Sequence, residues 1–177
     1  VMKQVSGKMN MREIVIVYGQ TETSPGVTMT TAKDPLERRV STIGRAFPHT
    51  ELKIIDPTTG RIVPTGEIGE ICARGYCVMK CYYNNPAATH ATLDANHWNH
   101  TGDLGTVDAE GYFRIVGRLK DMVIRGGENI YPREIEEFLH HHEKVADVYV
   151  VGVPDIKYGE ELCAWVKTKP GQTLTED

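Results

Sequence analysis

Residues 117–132 read Gly117-Arg118-Leu119-Lys120-Asp121-Met122-Val123-Ile124-Arg125-Gly126-Gly127-Glu128-Asn129-Ile130-Tyr131-Pro132. Met122-Val123-Ile124 is a short β-branched strand, and Gly126-Gly127 is a turn that lets backbone approach a ligand closely. Tyr131-Pro132 opens a helix, because proline suits the first helical position. Ile135, Phe138 and Leu139 fall on one face of that helix. Val145 to Val153 and Leu162 to Val166 then read as strands. A strand, helix, strand, strand order differs from what precedes it, and the charged step Leu119-Lys120-Asp121 separates the two. A charged, polar step of this kind suits a hinge, where few residues absorb a dihedral change.

Upstream, residues of about 45–118 are mostly β. Leu52 and Ile54 lie in one run and Ile62 in another, joined by the turn Asp56-Pro57-Thr58-Thr59-Gly60. Ile68 to Ala73 is a further strand, and Gly105 to Val107 pairs with Tyr112 to Ile115 across Asp108-Ala109-Glu110-Gly111. One helix interrupts the sheet, with Asn85 as N-cap and Pro86 at its first position. Residues 13–18 form an apolar run that predicts a buried strand ending at Tyr18-Gly19, followed by a Thr-rich loop from Gln20 to about Pro35. The fold class is therefore α/β in the α+β sense: a β-rich part, residues 1–119, and a small α/β part, residues 120–177, that ends without a closing element.

Hydrophobic residues make up 40% of the 177 and charged residues 25%, the balance of a folded domain. The net charge of −4 offers nothing to a nucleic-acid backbone. No apolar run is long enough to span a bilayer, and the first residues lack a signal peptide, so the chain reads as cytoplasmic. A targeting segment further upstream stays open. Cys72, Cys77, Cys81 and Cys163 have no zinc-site spacing and read as small hydrophobes. His140-His141-His142 reads as a solvated helix end.

Three clusters carry chemistry. Tyr18-Gly19-Gln20-Thr21-Glu22 follows a strand, where a ligand crevice forms; an aromatic can stack on a base, a hydroxyl can bond a phosphate and a carboxylate can hold Mg2+. Trp98-Asn99-His100-Thr101-Gly102-Asp103 places a carboxylate after a glycine turn, suited to a sugar diol. The stretch 117–132 is the third. In this order, the three resemble the signatures of the adenylate-forming superfamily of acyl-CoA synthetases, luciferase-like enzymes and peptide-synthetase adenylation domains. Ile43-Gly44-Arg45, Arg74-Gly75-Tyr76-Cys77-Val78-Met79 and Ile124 to Pro132 look closest to medium-chain acyl-CoA ligases of the acyl-CoA synthetase family member two type. Peptide-synthetase domains usually have proline where Gln20 stands, and luciferases usually lack the Gly-Gly-Glu-Asn run.

The resemblance implies roles residue by residue. Tyr18 would lie at the adenine, with Gly19 and Gln20 lining the nucleotide site. Thr21 would contact the phosphate and Glu22 would bind Mg2+. Asp103 and Arg118 would hold the ribose, Lys120 would be the hinge, and Gly126 and Gly127 would line the path of coenzyme A. Gly19 and the loop Thr23 to Gly26 are local candidates for the acyl-pocket wall. The implied partners are ATP, a carboxylic acid and coenzyme A, with a homo-oligomer left open. The superfamily's Ser/Thr/Gly-rich phosphate loop has no counterpart before Val5, and Lys169 and Gly171 do not match the context of its C-terminal catalytic lysine. The chain is therefore expected to be an internal fragment, inactive in adenylation alone. Two alternatives stay open: a fatty acyl-AMP ligase that loads a carrier protein, and a non-catalytic, truncated nucleotide-binding chain.

Overall fold

The computed structural model describes residues 2–175. In chain order its elements are α1 (Met2–Lys8), β1 (Val17–Tyr18), β2 (Thr28–Met29), α2 (Leu36–Ser41), β3 (Arg45–Ala46), β4 (Thr50–Ile55), β5 (Gly69–Gly75), α3 (Pro86–Thr92), β6 (Asn99–Val107), β7 (Phe113–Arg118), β8 (Val123–Arg125), β9 (Glu128–Ile130), α4 (Pro132–His140), β10 (Val145–Asp155) and β11 (Gly159–Thr168). Short 3-10 turns lie at Thr21–Thr23 and Leu119–Asp121. Backbone packing separates two compact units after Ile115. The chain is mixed α/β and rich in strand, the class expected from its sequence.

β4, β5, β6 and β7 form one sheet in chain order, the last three residues of β7 being counted with the second unit, and β1, β2 and β3 form another. Gly69 to Ala73 of β5 are buried without alternation. Such a run needs cover on both faces. Ile54, Ile71 and Phe113 form one core cluster, with Ile43, Val63, Val107 and Ile115 packed on it. Val27, Ala73 and Cys77 form a second, against which Tyr18 and Val78 pack. Leu52 touches both clusters. The helix of the sheet connection forms as read: the Asn85 side-chain oxygen accepts from the Ala88 N–H at 3.0 Å, and Pro86 opens α3. Asp56 organises the 56–60 turn by accepting the N–H groups of Thr58 and Thr59, each at 2.8 Å.

The 13–18 run departs from its reading. Only Val17–Tyr18 is strand, and Val17 is 53% exposed. The reason lies in who satisfies the backbone. The buried Arg39 guanidinium donates to the carbonyls of Arg12 (2.9 Å), Ile14 (2.7 Å) and Asp34 (3.1 Å), so a side chain takes the place of a ladder partner. Residues 36–41, which carry no strong periodic signal, form α2.

In the second unit, the sheet order is β10-β11-β8-β9, with every pair antiparallel. Ile135 and Leu139 of α4 pack on Val145, Val148 and Val150, together with Leu162. Phe138, assigned to the same face, is 77% exposed. It lies about 100° around the helix from Leu139, outside the stripe that the sheet covers. Gly126 and Gly127 form the two-residue turn between β8 and β9, both with positive φ. This suits a type I′ hairpin and accounts for β9, a strand that the sequence pattern alone does not assign.

Ile71 is fully buried between two sheet neighbours, whereas Ile62 is 71% exposed. Ile71→Ala is expected to lower unfolding stability by about 2–5 kcal/mol. Ile62→Ala should change it by no more than about 0.5 kcal/mol, both read by urea denaturation.

Candidate functional site

The loop after β1 is pinned by contacts that its sequence demands. A Cβ on Gly19 would stand 1.9 Å from the Pro25 carbonyl oxygen and 2.6 Å from Gly26 Cα, so only glycine lets the chain fold back here. Across the 3-10 turn, the Gln20 N–H donates to Thr23 Oγ1 at 2.8 Å, and the Thr23 hydroxyl donates to the Gln20 carbonyl at 3.0 Å. Thr23 is fully buried, while the neighbouring Thr21 side chain faces solvent. Backbone and burial thus fix Gln20 and present Thr21.

Three of the expected residues meet at one carboxylate. The Tyr18 hydroxyl donates to Asp103 Oδ2 at 2.8 Å. Gln20 Nε2 donates to the same oxygen at 3.2 Å and to the Thr101 carbonyl at 2.8 Å. Asp103 is 7% exposed. A buried carboxylate needs such donors, since an unpaired one is costly.

Asp103 is aimed by a break in the sheet. Leu104 pairs with Glu70 and His100 with Cys72, so Thr101, Gly102 and Asp103 together stand opposite Ile71 alone. This bulge leaves ladder groups without strand partners, and side chains replace them. Thr101 Oγ1 donates to the Ile71 carbonyl at 2.7 Å and accepts the Asp103 N–H at 3.1 Å. The Gly102 N–H donates to Glu70 Oε1 at 3.0 Å. Gly102 has φ +68°, a conformation that glycine adopts readily.

Glu22 is held separately. The Tyr82 hydroxyl donates to Glu22 Oε1 at 2.5 Å, and the Met79 N–H donates to the Glu22 carbonyl at 2.8 Å. Donation to Glu22, with burial adding to it, raises the Tyr82 phenol above its ordinary range. Arg118 closes β7 and Lys120 lies exposed in the 3-10 turn that follows. These two, with Gly126 and Gly127, belong to the second unit.

Sequence reading missed Tyr82, Glu70 and His100 as site residues. Glu70 had a visible signal, an acid in the otherwise apolar Ile68 to Ala73 run. It is 5% exposed, and its Oε2 lies 2.9 Å from His100 Nδ1. Cys72 Sγ lies 3.7 Å from the same nitrogen. These three side chains could in principle surround a metal ion. However, both Glu70 oxygens already accept hydrogen bonds, and burial, with the Glu70 charge adding to it, pushes the Cys72 thiol up to about 12. The cluster is a hydrogen-bonded tie between β5 and β6. Beside it, two cations lie over the Trp98 ring, Lys53 at 4.3 Å and Arg74 at 4.6 Å.

The AMP-binding enzyme family model matches residues 1–83, and that of the AMP-binding enzyme C-terminal domain matches residues 134–177. The chain belongs to the AMP-binding enzyme family. It is 57% identical over 177 residues to the YngI protein of Bacillus subtilis (strain 168), covering 100% of this chain and 32% of that protein. It is 47% identical over 175 residues to the mitochondrial medium-chain acyl-CoA ligase ACSF2 of Rattus norvegicus, covering 99% of this chain and 28% of the relative. The chain thus spans about a third of the length of the curated relatives it matches. Among solved structures, ATP-bound MatB from Rhodopseudomonas palustris superposes with a TM-score of 0.88 at 35% identity, over 98% of this chain and 34% of that one. The o-succinylbenzoate CoA synthetase MenE of Bacillus subtilis, in complex with its acyl-adenylate intermediate, gives 0.83 at 32% identity, over 97% and 34%. The sequence signatures and the two family models therefore agree on the family.

The Cys72 thiol keeps its proton far above its ordinary 9.0. Cys72 should therefore resist iodoacetamide between pH 7 and 9 while the exposed Cys81 reacts, as read by peptide mass spectrometry. Above pH 9 the unfolded chain ionises this thiol and the folded one does not, so its contribution to stability should fall as pH rises from 9 towards 12.

Proposed function

We propose that this chain forms the nucleotide-reading and hinge portion of an ATP-dependent acyl-CoA ligase acting on a fatty acid of medium chain length. The observation that carries the reading is the buried Asp103 carboxylate, which is held by Tyr18 at the end of β1 and by Gln20 of the following loop that also bears Thr21 and Glu22. The ATP-bound state of MatB and the medium-chain ligase name of ACSF2 support it.

In this reading, Asp103 accepts the ribose hydroxyls with help from Arg118, and Tyr18 borders the adenine. Thr21, exposed at the tip of the turn, donates to the α-phosphate. Glu22 suits Mg2+, because a hard cation takes one or two carboxylates and completes its shell with phosphates and water. When bound, Mg2+ supplies charge neutralisation on the phosphates. A carboxylate oxygen of the acid attacks the α-phosphorus and pyrophosphate departs; the coenzyme A thiol then attacks the acyl carbonyl, loses its proton and expels AMP. The protein's share of the first half is positioning and electrostatic stabilisation. Lys120 is the pivot about which the small unit exchanges the two half-reactions, and the Gly126-Gly127 turn then borders the coenzyme A path.

The direct test measures pyrophosphate release by the full-length protein with a panel of carboxylic acids, with and without coenzyme A. Turnover that requires coenzyme A and yields AMP supports the ligase. Release that stops after one equivalent, without thioester, points to a carrier-protein acceptor, and no release with any acid overturns the reading. In the same protein, Glu22→Ala should slow acid-dependent pyrophosphate release by about 100-fold. Wild-type release in that variant would remove the metal role from Glu22. Lys120→Pro should leave adenylation near wild type and impair thioester formation; equal loss in both steps would argue against a hinge.

A further inference from the structure

Glu70 is buried, on β5, and touches nothing that the proposed chemistry uses directly. Its two oxygens nevertheless grip the opposite strand at two points, Gly102 N–H at 3.0 Å and His100 Nδ1 at 2.9 Å. The two grips bracket Thr101 and stop one residue short of Asp103. On the other side of the ring, His100 Nε2 lies 4.0 Å from Asp94 Oδ2. Asp94 is itself fixed by accepting the N–H groups of Asn96 (2.8 Å) and Trp98 (2.9 Å).

The bulge explains why a grip is needed. Thr101 to Asp103 lie outside the regular ladder, and Gly102, which lacks a Cβ, is the least restricted backbone among them. Rotation there would swing the Asp103 carboxylate. A hydrogen bond to a charged acceptor is among the strongest ways to stop it. We propose that Glu70 is a positioning residue for the nucleotide site: by holding the Gly102 N–H and His100, it fixes the direction in which Asp103 presents its carboxylate to the ribose hydroxyls. The inference rests on the ribose role given to Asp103 above.

The test is a hydroxyl-preference measurement in the full-length protein. Dissociation constants for ATP, 2′-deoxy-ATP and 3′-deoxy-ATP are measured by calorimetry for wild type and for Glu70→Ala, Glu70→Gln, Glu70→Asp and Asp103→Ala, with melting temperatures recorded alongside. Wild type is expected to prefer ATP by about tenfold or more, the value of a hydrogen bond to a charged group. Glu70→Ala should reduce that preference to about twofold or less, since the carboxylate is no longer aimed. Glu70→Gln keeps an acceptor for the Gly102 N–H and should retain most of the preference. Glu70→Asp keeps the charge but retracts it by one methylene, and should lose the preference even if Glu70→Ala fails to fold. If Glu70→Ala or Glu70→Asp binds all three nucleotides more weakly but keeps the wild-type ratio, Glu70 is merely structural and the proposal is overturned. If wild type shows no hydroxyl preference, or Asp103→Ala keeps it, the ribose role of Asp103 fails first and takes the proposal with it.

Discussion

A carboxylate removed from water must be met by donors, and the first unit is arranged around that requirement at Asp103. Tyr18 reaches it from the end of β1 and Gln20 from the loop that follows, and the β6 bulge delivers it from the other side. Each contribution constrains something else. Tyr18 can extend its hydroxyl because its ring packs on the Val27, Ala73 and Cys77 cluster. Gln20 can extend its side-chain amide because Thr23 clamps its backbone in both directions. Without the carboxylate, the loop would lose the anchor that sets its distance from the sheet.

Two buried acids, Glu70 and Asp103, lie on the neighbouring strands β5 and β6, and different groups donate to each. Glu70 takes a backbone N–H and an imidazole; Asp103 takes a phenol and an amide among its partners. Such partition lets two like charges share a small region, since each has its own compensation. Glu22 follows the same logic at the far end of the loop, where Tyr82 supplies the donor. The three acids that matter to the site are thus each tied to a different part of the β-sheet unit, which makes the site a product of the sheet more than of its loop.

The strong local signals in the sequence predicted their elements well. Asn85-Pro86 opens α3, Tyr131-Pro132 opens α4, and the β-branched run at residues 145–153 lies within β10, because caps and β-branching act over a few residues. What escaped was non-local. Nothing near Ile14 announces that Arg39, 25 residues on, will take its carbonyl. Nothing in Thr101-Gly102-Asp103 states that three residues will stand opposite one, since register is set by both strands. The same holds for the site. Tyr18, Gln20 and Asp103 were legible as members of motifs, but the hydrogen bonds that join them span more than 80 positions. Tyr82 lies 60 residues from Glu22, and no spacing rule connects them. Phe138 shows the converse error: helical periodicity placed it correctly on the helix, yet the width of the covered stripe depends on the sheet beneath.

The placement of the aromatic rings has a spectroscopic consequence. The chain has two tryptophans, Trp98 in the first unit and Trp165 in the second. Trp98 is half-buried with the Lys53 and Arg74 cations against its ring, an environment that unfolding abolishes. Trp165 on β11 is 70% exposed and already emits from water. A change in intrinsic emission colour during denaturation therefore reports almost entirely on the β-rich unit around the bulge. The second unit is optically quiet, and its unfolding has to be followed by its backbone.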